Sequence, residues 1–124
     1  MARISIHEQK FWLIVNALGK QDDFDREYRF CKGRKFRADF VHFPTSTLIE
    51  IDGGVWISGR HTRGSGAVAD YEKYFIAHTL GWKVVRLEPG QITVKTVESI
   101  VNFKERAAEL TTAQGRSFSA KNFE

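Results

Sequence analysis

The stretch from Phe36 to Gly54, FRADFVHFPTSTLIEIDGG, constrains the chain more than any other. Two runs rich in Phe, Val and Ile, Phe36–Phe43 and Thr47–Asp52, flank a turn signal at Pro44-Thr45-Ser46, which is the pattern of a β-hairpin. A loop of Phe43–Ser46 sets His42 opposite Thr47, and the register that follows sets Asp39 opposite Glu50. Side chains alternate along a strand and opposed residues share a face. One face then holds Phe40, Ile49, Ala38 and Ile51 and reads as core. The other holds Val41 and Leu48, then Asp39 with Glu50, then Arg37 with Asp52.

Two directly opposed carboxylates have Cβ atoms about 5 Å apart, and like charges so placed destabilise a sheet. Two explanations stand. Either the register differs or that face is solvated, and the acids are surface charges; or a hard divalent cation sits between them, since Mg2+ is commonly bound by one or two carboxylates plus water and substrate phosphate. Asp52 has a plainer role available to it, an ion pair with Arg37.

At 124 residues, of which 42% are hydrophobic with ten Phe and three Trp, the chain is long enough for a single domain with a real core. A net charge of +4 and a pI near 9.4 favour a polyanionic partner, although many proteins with this balance bind none. The single cysteine, Cys31, excludes an internal disulfide and a cysteine-based zinc site and fits a reducing cytoplasm. No apolar stretch reaches the roughly 18 residues of a membrane span, and no secretory leader is expected before the first helix.

Ser5-Ile6-His7-Glu8 has capping-box spacing, and Phe11, Ile14, Val15 and Leu18 follow at helical intervals up to Gly19, which predicts a helix over 6–18. Glu8 falls at the start of that apolar stripe, either as the capping glutamate or pointing toward whatever the helix covers. Glu27–Phe30 alternates as a short strand. The turn around Gly33 gathers Lys32, Arg34 and Lys35, with Arg37 just beyond, as a solvated turn or a phosphate-contacting edge. Gly53–Gly66 contains five glycines, two arginines (Arg60 and Arg63) and His61. Such a backbone can approach a phosphate closely and arginine can grip one bidentately, but the Gly-Lys-Ser/Thr ending of a P-loop is missing. His61 is either a surface histidine or a general base or phosphate donor. Ala67–Leu80 reads as a helix closed by Gly81, with Lys73 inside its apolar stripe, either snorkelling or aimed at the carboxylates. Trp82–Leu87 predicts a strand inside the sheet, and Thr93–Leu110 a last amphipathic helix. The expected organisation is one domain over 1–110 and a loose polar tail over 111–124.

The order α-β-β-β-α-β-α resembles that of the restriction-endonuclease-like, PD-(D/E)XK nucleases. So do the residues: Arg37-Ala38-Asp39-Phe40, then Leu48-Ile49-Glu50-Ile51-Asp52-Gly53-Gly54-Val55-Trp56, then Gly81-Trp82-Lys83-Val84-Val85-Arg86. The set is similar to the very-short-patch-repair branch and related small phage and bacterial endonuclease-like proteins, over about residues 5–105.

The resemblance implies an α/β fold with a central mixed sheet flanked by helices, and Mg2+-dependent hydrolysis of DNA phosphodiesters, with Mn2+ as a substitute. Asp39 and Glu50 would bind the metal with the carbonyl of Ile51, and Glu8 matches a glutamate that some members place on the first helix. The motif lysine two residues after the glutamate is here Asp52. Asp52 could then be a further ligand, with Lys73 or His61 in the cationic, water-orienting role. Arg34, Lys35, Arg37, Arg60 and Arg63 would contact DNA. The implied setting is phage or mobile-element recombination, repair or restriction, in the cytoplasm of a bacterial or phage-infected cell. The partner would be duplex or branched DNA, and a homodimer would supply one site per strand. Two alternatives share these features: a nuclease-fold nucleic-acid-binding module that has lost cleavage, and an RNA-processing nuclease.

Overall fold

In a computed structural model of the chain, residues 5–53 and 64–103 are described, residues 64–69 by their backbone alone. The order is α1 (Ile6–Ala17), β1 (Phe24–Tyr28), β2 (Ala38–His42), β3 (Thr47–Ile51), α2 (Gly64–Thr79), β4 (Lys83–Leu87) and α3 (Val94–Val101), with short 3-10 turns at Gln21–Asp23 and Pro89–Gln91. The fold is α/β: one sheet in the order β1-β2-β3-β4, antiparallel except for the parallel β3–β4 pair, flanked by three helices.

The helices begin and end for local reasons. Ser5 caps α1 by accepting from the Glu8 amide at 3.0 Å, and Thr93 caps α3 by accepting from the Thr96 amide at 3.2 Å. Gly19 (φ +70°) and Gly81 (φ +91°) take the left-handed conformation after α1 and α2. There the amides of Lys20 and Trp82 reach back to the carbonyls of Val15 and Ala77, closing both ends as Schellman motifs.

The hairpin has the expected register, His42↔Thr47, Val41↔Leu48 and Phe40↔Ile49. Ser46, in the left-handed region at φ 52°, closes its turn by donating to the Phe43 carbonyl. Two apolar clusters cover the two faces of the sheet. Phe40, Ile49, Ile51 and Leu87 pack with Phe11 and Val15 of α1 and with Val97 and Ile100 of α3. Val41 and Leu48 pack with Phe30, Ala38 and Ala77 of α2.

Several expectations need correcting. The first strand runs over Phe24–Tyr28, not Glu27–Phe30, because its buried alternation starts at Phe24, directly after the acidic turn that obscures it. Ala38 belongs to the α2-side cluster, not beside Phe40. The alternation of β1 breaks at the same level, at Glu27 (φ 50°): Arg26 lies against Trp12 and Phe40 while Tyr28, paired with Ala38, joins the opposite cluster. The strand expected inside the sheet is an edge strand, since β4 pairs with β3 alone among the described strands. α2 starts earlier than expected, at Gly64, and α3 stops at Val101, where Asn102 leaves helical geometry. The expected tail lies outside the described residues.

Candidate active site

The acids gather where β2 and β3 part. The pairings of β2 pass over Asp39 on both sides: β1 resumes at Tyr28↔Ala38 and β3 reaches only Phe40↔Ile49. In that gap the amide of Ile51 donates to Asp39 Oδ2 at 2.7 Å, so a side-chain carboxylate takes a backbone donor of the neighbouring strand. Burial pushes the Asp39 carboxyl above its ordinary pKa. The Ile51 bond opposes that rise, the Glu50 charge adds to it, and Lys73 and Arg37 oppose it more weakly.

Glu50 is held from α2. Lys73 Nζ donates to Glu50 Oε2 at 2.6 Å and the Tyr74 hydroxyl donates to Glu50 Oε1 at 2.5 Å. The Glu50 and Lys73 side chains are each 16% exposed, so this ion pair is far drier than the others among the described residues. The like-charge opposition legible in the hairpin is therefore relieved by a cation from another element, and Lys73 does not snorkel to solvent. Burial, reinforced by the hydrogen bond and charge of Glu50, raises the Tyr74 pKa, which keeps the phenol protonated and able to donate.

Asp39, Glu50, Ile51 and Asp52 border one open hollow of about 220 Å³, with Asp70, Lys73 and Tyr74 of α2 and Arg86 of β4 on its other sides. Glu8 stands close enough for Asp39 to raise its pKa, an effect second to burial, with Ser5 and Arg26 opposing the rise. The Glu8 carboxylate accepts from the Ser5 hydroxyl at 3.4 Å, so it stays at the helix start while lying near the acids. Arg37 pairs at 3.5 Å with Glu27. Arg34 pairs at 2.6 Å with Glu72 and lies over the Phe36 ring, while Lys35 is exposed. Arg60, His61 and Arg63 lie outside the described residues.

Tyr74, Asp70 and Arg86 escaped the sequence reading. A weak signal existed, since Asp70, Lys73 and Tyr74 fall at helical spacing on one face once Lys73 is turned toward the sheet. Arg86 was visible only as part of a motif, because its position beside Glu50 depends on the parallel register Glu50↔Arg86.

A divalent cation suits the donor chemistry, with hard carboxylate oxygens of two strands on one open hollow. The set is sparse, however: among the described residues no group of three or more His, Cys, Asp or Glu side chains is gathered as a metal site. No described helix is long and apolar enough to cross a membrane.

No family model matches the chain, and no curated protein matches it. A similar solved structure is the "Homing Endonuclease I-Bth0305I Catalytic Domain", at 15% identity and a TM-score of 0.49, over 90% of this chain and 97% of that one. A similarity that distant carries no functional inference.

Proposed function

We propose that the chain is a divalent-metal-dependent nuclease of the PD-(D/E)XK type, hydrolysing DNA phosphodiesters in a phage or mobile-element setting. The observation that carries the reading is that Asp39 and Glu50 border one open hollow with a lysine of α2 drawn onto Glu50. Asp39, Glu50 and the Ile51 carbonyl would hold Mg2+. The ion would polarise the phosphoryl oxygen, lower the pKa of water and neutralise charge on the leaving oxygen.

The remaining work falls to the chain's own groups. Lys73 supplies the cation that the motif places two residues after the glutamate, and its ammonium can orient a water while holding Glu50 in one rotamer. Tyr74 fixes the other oxygen of Glu50. Asp39 holds a cation in its charged form, which burial disfavours and the Ile51 amide favours. Hydrolysis joins a water oxygen to phosphorus and breaks its bond to the ester oxygen, which departs as an alcohol. Asp52 borders the hollow and is proposed as a further ligand. His61 remains the other nominee for the cationic role, and Glu8 an accessory acid. DNA would have to exchange for Glu72 at Arg34 and for Glu27 at Arg37. Lys35, Arg60 and Arg63 complete the proposed phosphate contacts.

One observation favours the second reading, a nucleic-acid-binding module without cleavage. Both Glu50 oxygens are taken by donors of α2 and no three-ligand cluster forms among the described residues.

Incubation with supercoiled plasmid, branched DNA and RNA, in Mg2+, Mn2+ or EDTA, separates the readings. The expected result is cleavage of DNA that EDTA abolishes and that Glu50→Ala lowers on the order of 100-fold or more. Full activity in EDTA overturns the metal mechanism. Cutting of RNA alone assigns the RNA reading, and binding without cutting assigns the module.

A further inference from the structure

Arg34 and Arg37, the described arginines that the sequence nominates for phosphate contact, are each occupied by a glutamate. Arg86 is differently placed. It is exposed, stands beside Glu50 in the parallel β3–β4 register, and enters none of the ion pairs among the described residues. Its guanidinium lies 5.4 Å from the centre of the Tyr74 ring, the same residue whose hydroxyl holds Glu50. Arg86 also borders two hollows: the one that holds the acids, and a second of about 240 Å³ formed with Asp52, Leu87, Glu88 and Gln91. It thus stands between the acidic hollow and the surface leading away from it.

We propose that Arg86 grips a backbone phosphate of the bound polynucleotide, next to the one at the acids, and that Tyr74 is the pivot that aligns the two. The planar guanidinium offers a fork that matches two phosphate oxygens, and it is weakly hydrated enough to rest on an aromatic face at the same time. Stacking on Tyr74 reduces the rotamer freedom that Arg86 loses on gripping an anion. One side chain therefore positions the phosphate-binding group through its ring and the proposed metal ligand through its hydroxyl. Arg86 is in this sense a substrate-contacting residue and Tyr74 a positioning residue. The inference rests on the nuclease reading and names a substrate contact of that same site.

The test separates ring, hydroxyl and charge. Binding of short fluorescein-labelled DNA and RNA duplexes is followed by anisotropy over a range of salt, with Ca2+ in place of Mg2+ so that turnover does not consume them. In parallel, the melting temperature is followed against Mn2+. On whichever duplex the wild-type protein binds, Arg86→Ala is expected to lower affinity about tenfold and to make the salt slope shallower by roughly one ion. Arg86→Lys keeps the charge, so the slope is expected to survive while affinity falls severalfold. Tyr74→Phe keeps the ring, and duplex affinity should stay at the wild-type level while the Mn2+ midpoint weakens about tenfold. Tyr74→Leu should lose both. Arg86 is exposed and Arg86→Lys is conservative, so loss of the fold cannot account for the pattern. Unchanged affinity and slope in both Arg86 variants, with a wild-type protein that binds in a salt-dependent way, overturns the inference and leaves the nuclease reading standing. Tyr74→Phe weakening duplex binding as much as Tyr74→Leu overturns the pivot. A wild-type protein that binds neither duplex and cuts neither DNA nor RNA overturns the nuclease reading itself.

Discussion

Asp39 carries its charge against its surroundings. Burial raises its pKa and Glu50 adds to the rise, so ionising it in the fold costs more than in the unfolded chain. The sign follows directly. A carboxyl whose folded pKa exceeds its unfolded value contributes stability below the unfolded value, near 3.8, and that contribution is lost as pH rises through the folded value. Asp39→Asn keeps an oxygen that can accept from the Ile51 amide and removes the charge. At neutral pH the metal-free variant is expected to melt at the wild-type temperature or above it. It should also lose the stabilisation that Mn2+ gives the wild-type protein, because a ligand bound by the folded state alone raises the melting temperature. Thermal melts of both proteins with and without Mn2+ check this. A marked drop in the metal-free variant, with Mn2+ still stabilising it, would make Asp39 a structural residue. Lys73→Met supplies the companion measurement. It is expected to lower turnover more than duplex affinity, and a change in stability alone would remove Lys73 from the chemistry.

At the scale of elements, the hairpin is secured by its own polar core. His42, 2% exposed, shares a hydrogen bond of 2.7 Å with the Thr45 hydroxyl, which shares one of 2.8 Å with the Thr47 hydroxyl, and Lys83 Nζ reaches the Thr45 carbonyl from β4 at 2.8 Å. Burial lowers the His42 pKa below 6.5, with Asp23 pulling it up and Lys20 adding to the fall. A histidine kept neutral in the fold contributes stability above its unfolded pKa, and loses it as pH falls from 6.5 through the folded value. Melts across that window should therefore show the wild-type protein losing stability relative to His42→Gln on acidification, although at neutral pH the variant is about 1–3 kcal/mol less stable. Parallel curves would place the proton elsewhere. β1 invites a second comparison. Left-handed backbone costs a side chain roughly 1–2 kcal/mol, so Glu27→Gly is expected to unfold at higher denaturant than Glu27→Ala, both having lost the exposed Arg37 pair. Equal midpoints would mean that the strain at Glu27 is absent in solution.

These elements also show what a sequence can disclose. The hairpin register was legible because a period of two and a Pro-Thr-Ser turn leave few other ways to bury Phe40 and Ile49. The helix stops were legible because Gly19 and Gly81 take a backbone that other residues resist. The same register predicts Asp39 opposite Glu50, whereas the β2–β3 pairing ends at Phe40↔Ile49 and the two acids meet as neighbours at its open end. What relieves their repulsion was not legible, because no periodicity says which residue of α2 meets β3. The sequence alone allows Lys73 two roles and does not single out Tyr74 for that reason. The displaced Ala38 pairs with Tyr28, just past the left-handed Glu27 of the neighbouring strand, and neither break of alternation leaves a trace in hydrophobic pattern.

Across the molecule, the described residues cover the two faces of the sheet unequally. On one side α1 and α3 contribute Phe11, Val15, Val97 and Ile100 to a cluster of fully buried side chains. On the other, Ala77 is the one buried side chain among those described in α2, whose Tyr71 and Phe75 are exposed. Among the described side chains of α2, apolar burial against the sheet is slight and the hydrogen bonds of Lys73 and Tyr74 to Glu50 are the polar ties to β3. Few buried contacts make an element open at lower free energy than the core that supports it. Native-state hydrogen exchange is expected to show the α2 amides opening below the free energy of β2, β3 and α1. Glu50→Ala should reduce α2 protection by a further 1–3 kcal/mol or so, as two charge-assisted hydrogen bonds are lost and Lys73 is left half-buried without its partner. Protection in α1 and the Phe40–Ile49 core should fall by less. If α2 instead exchanges only through global unfolding, and Glu50→Ala lowers every element equally, the helix bearing Lys73 and Tyr74 is an integral part of the core. The clamp on Glu50 would then be a consequence of α2 packing and not its cause.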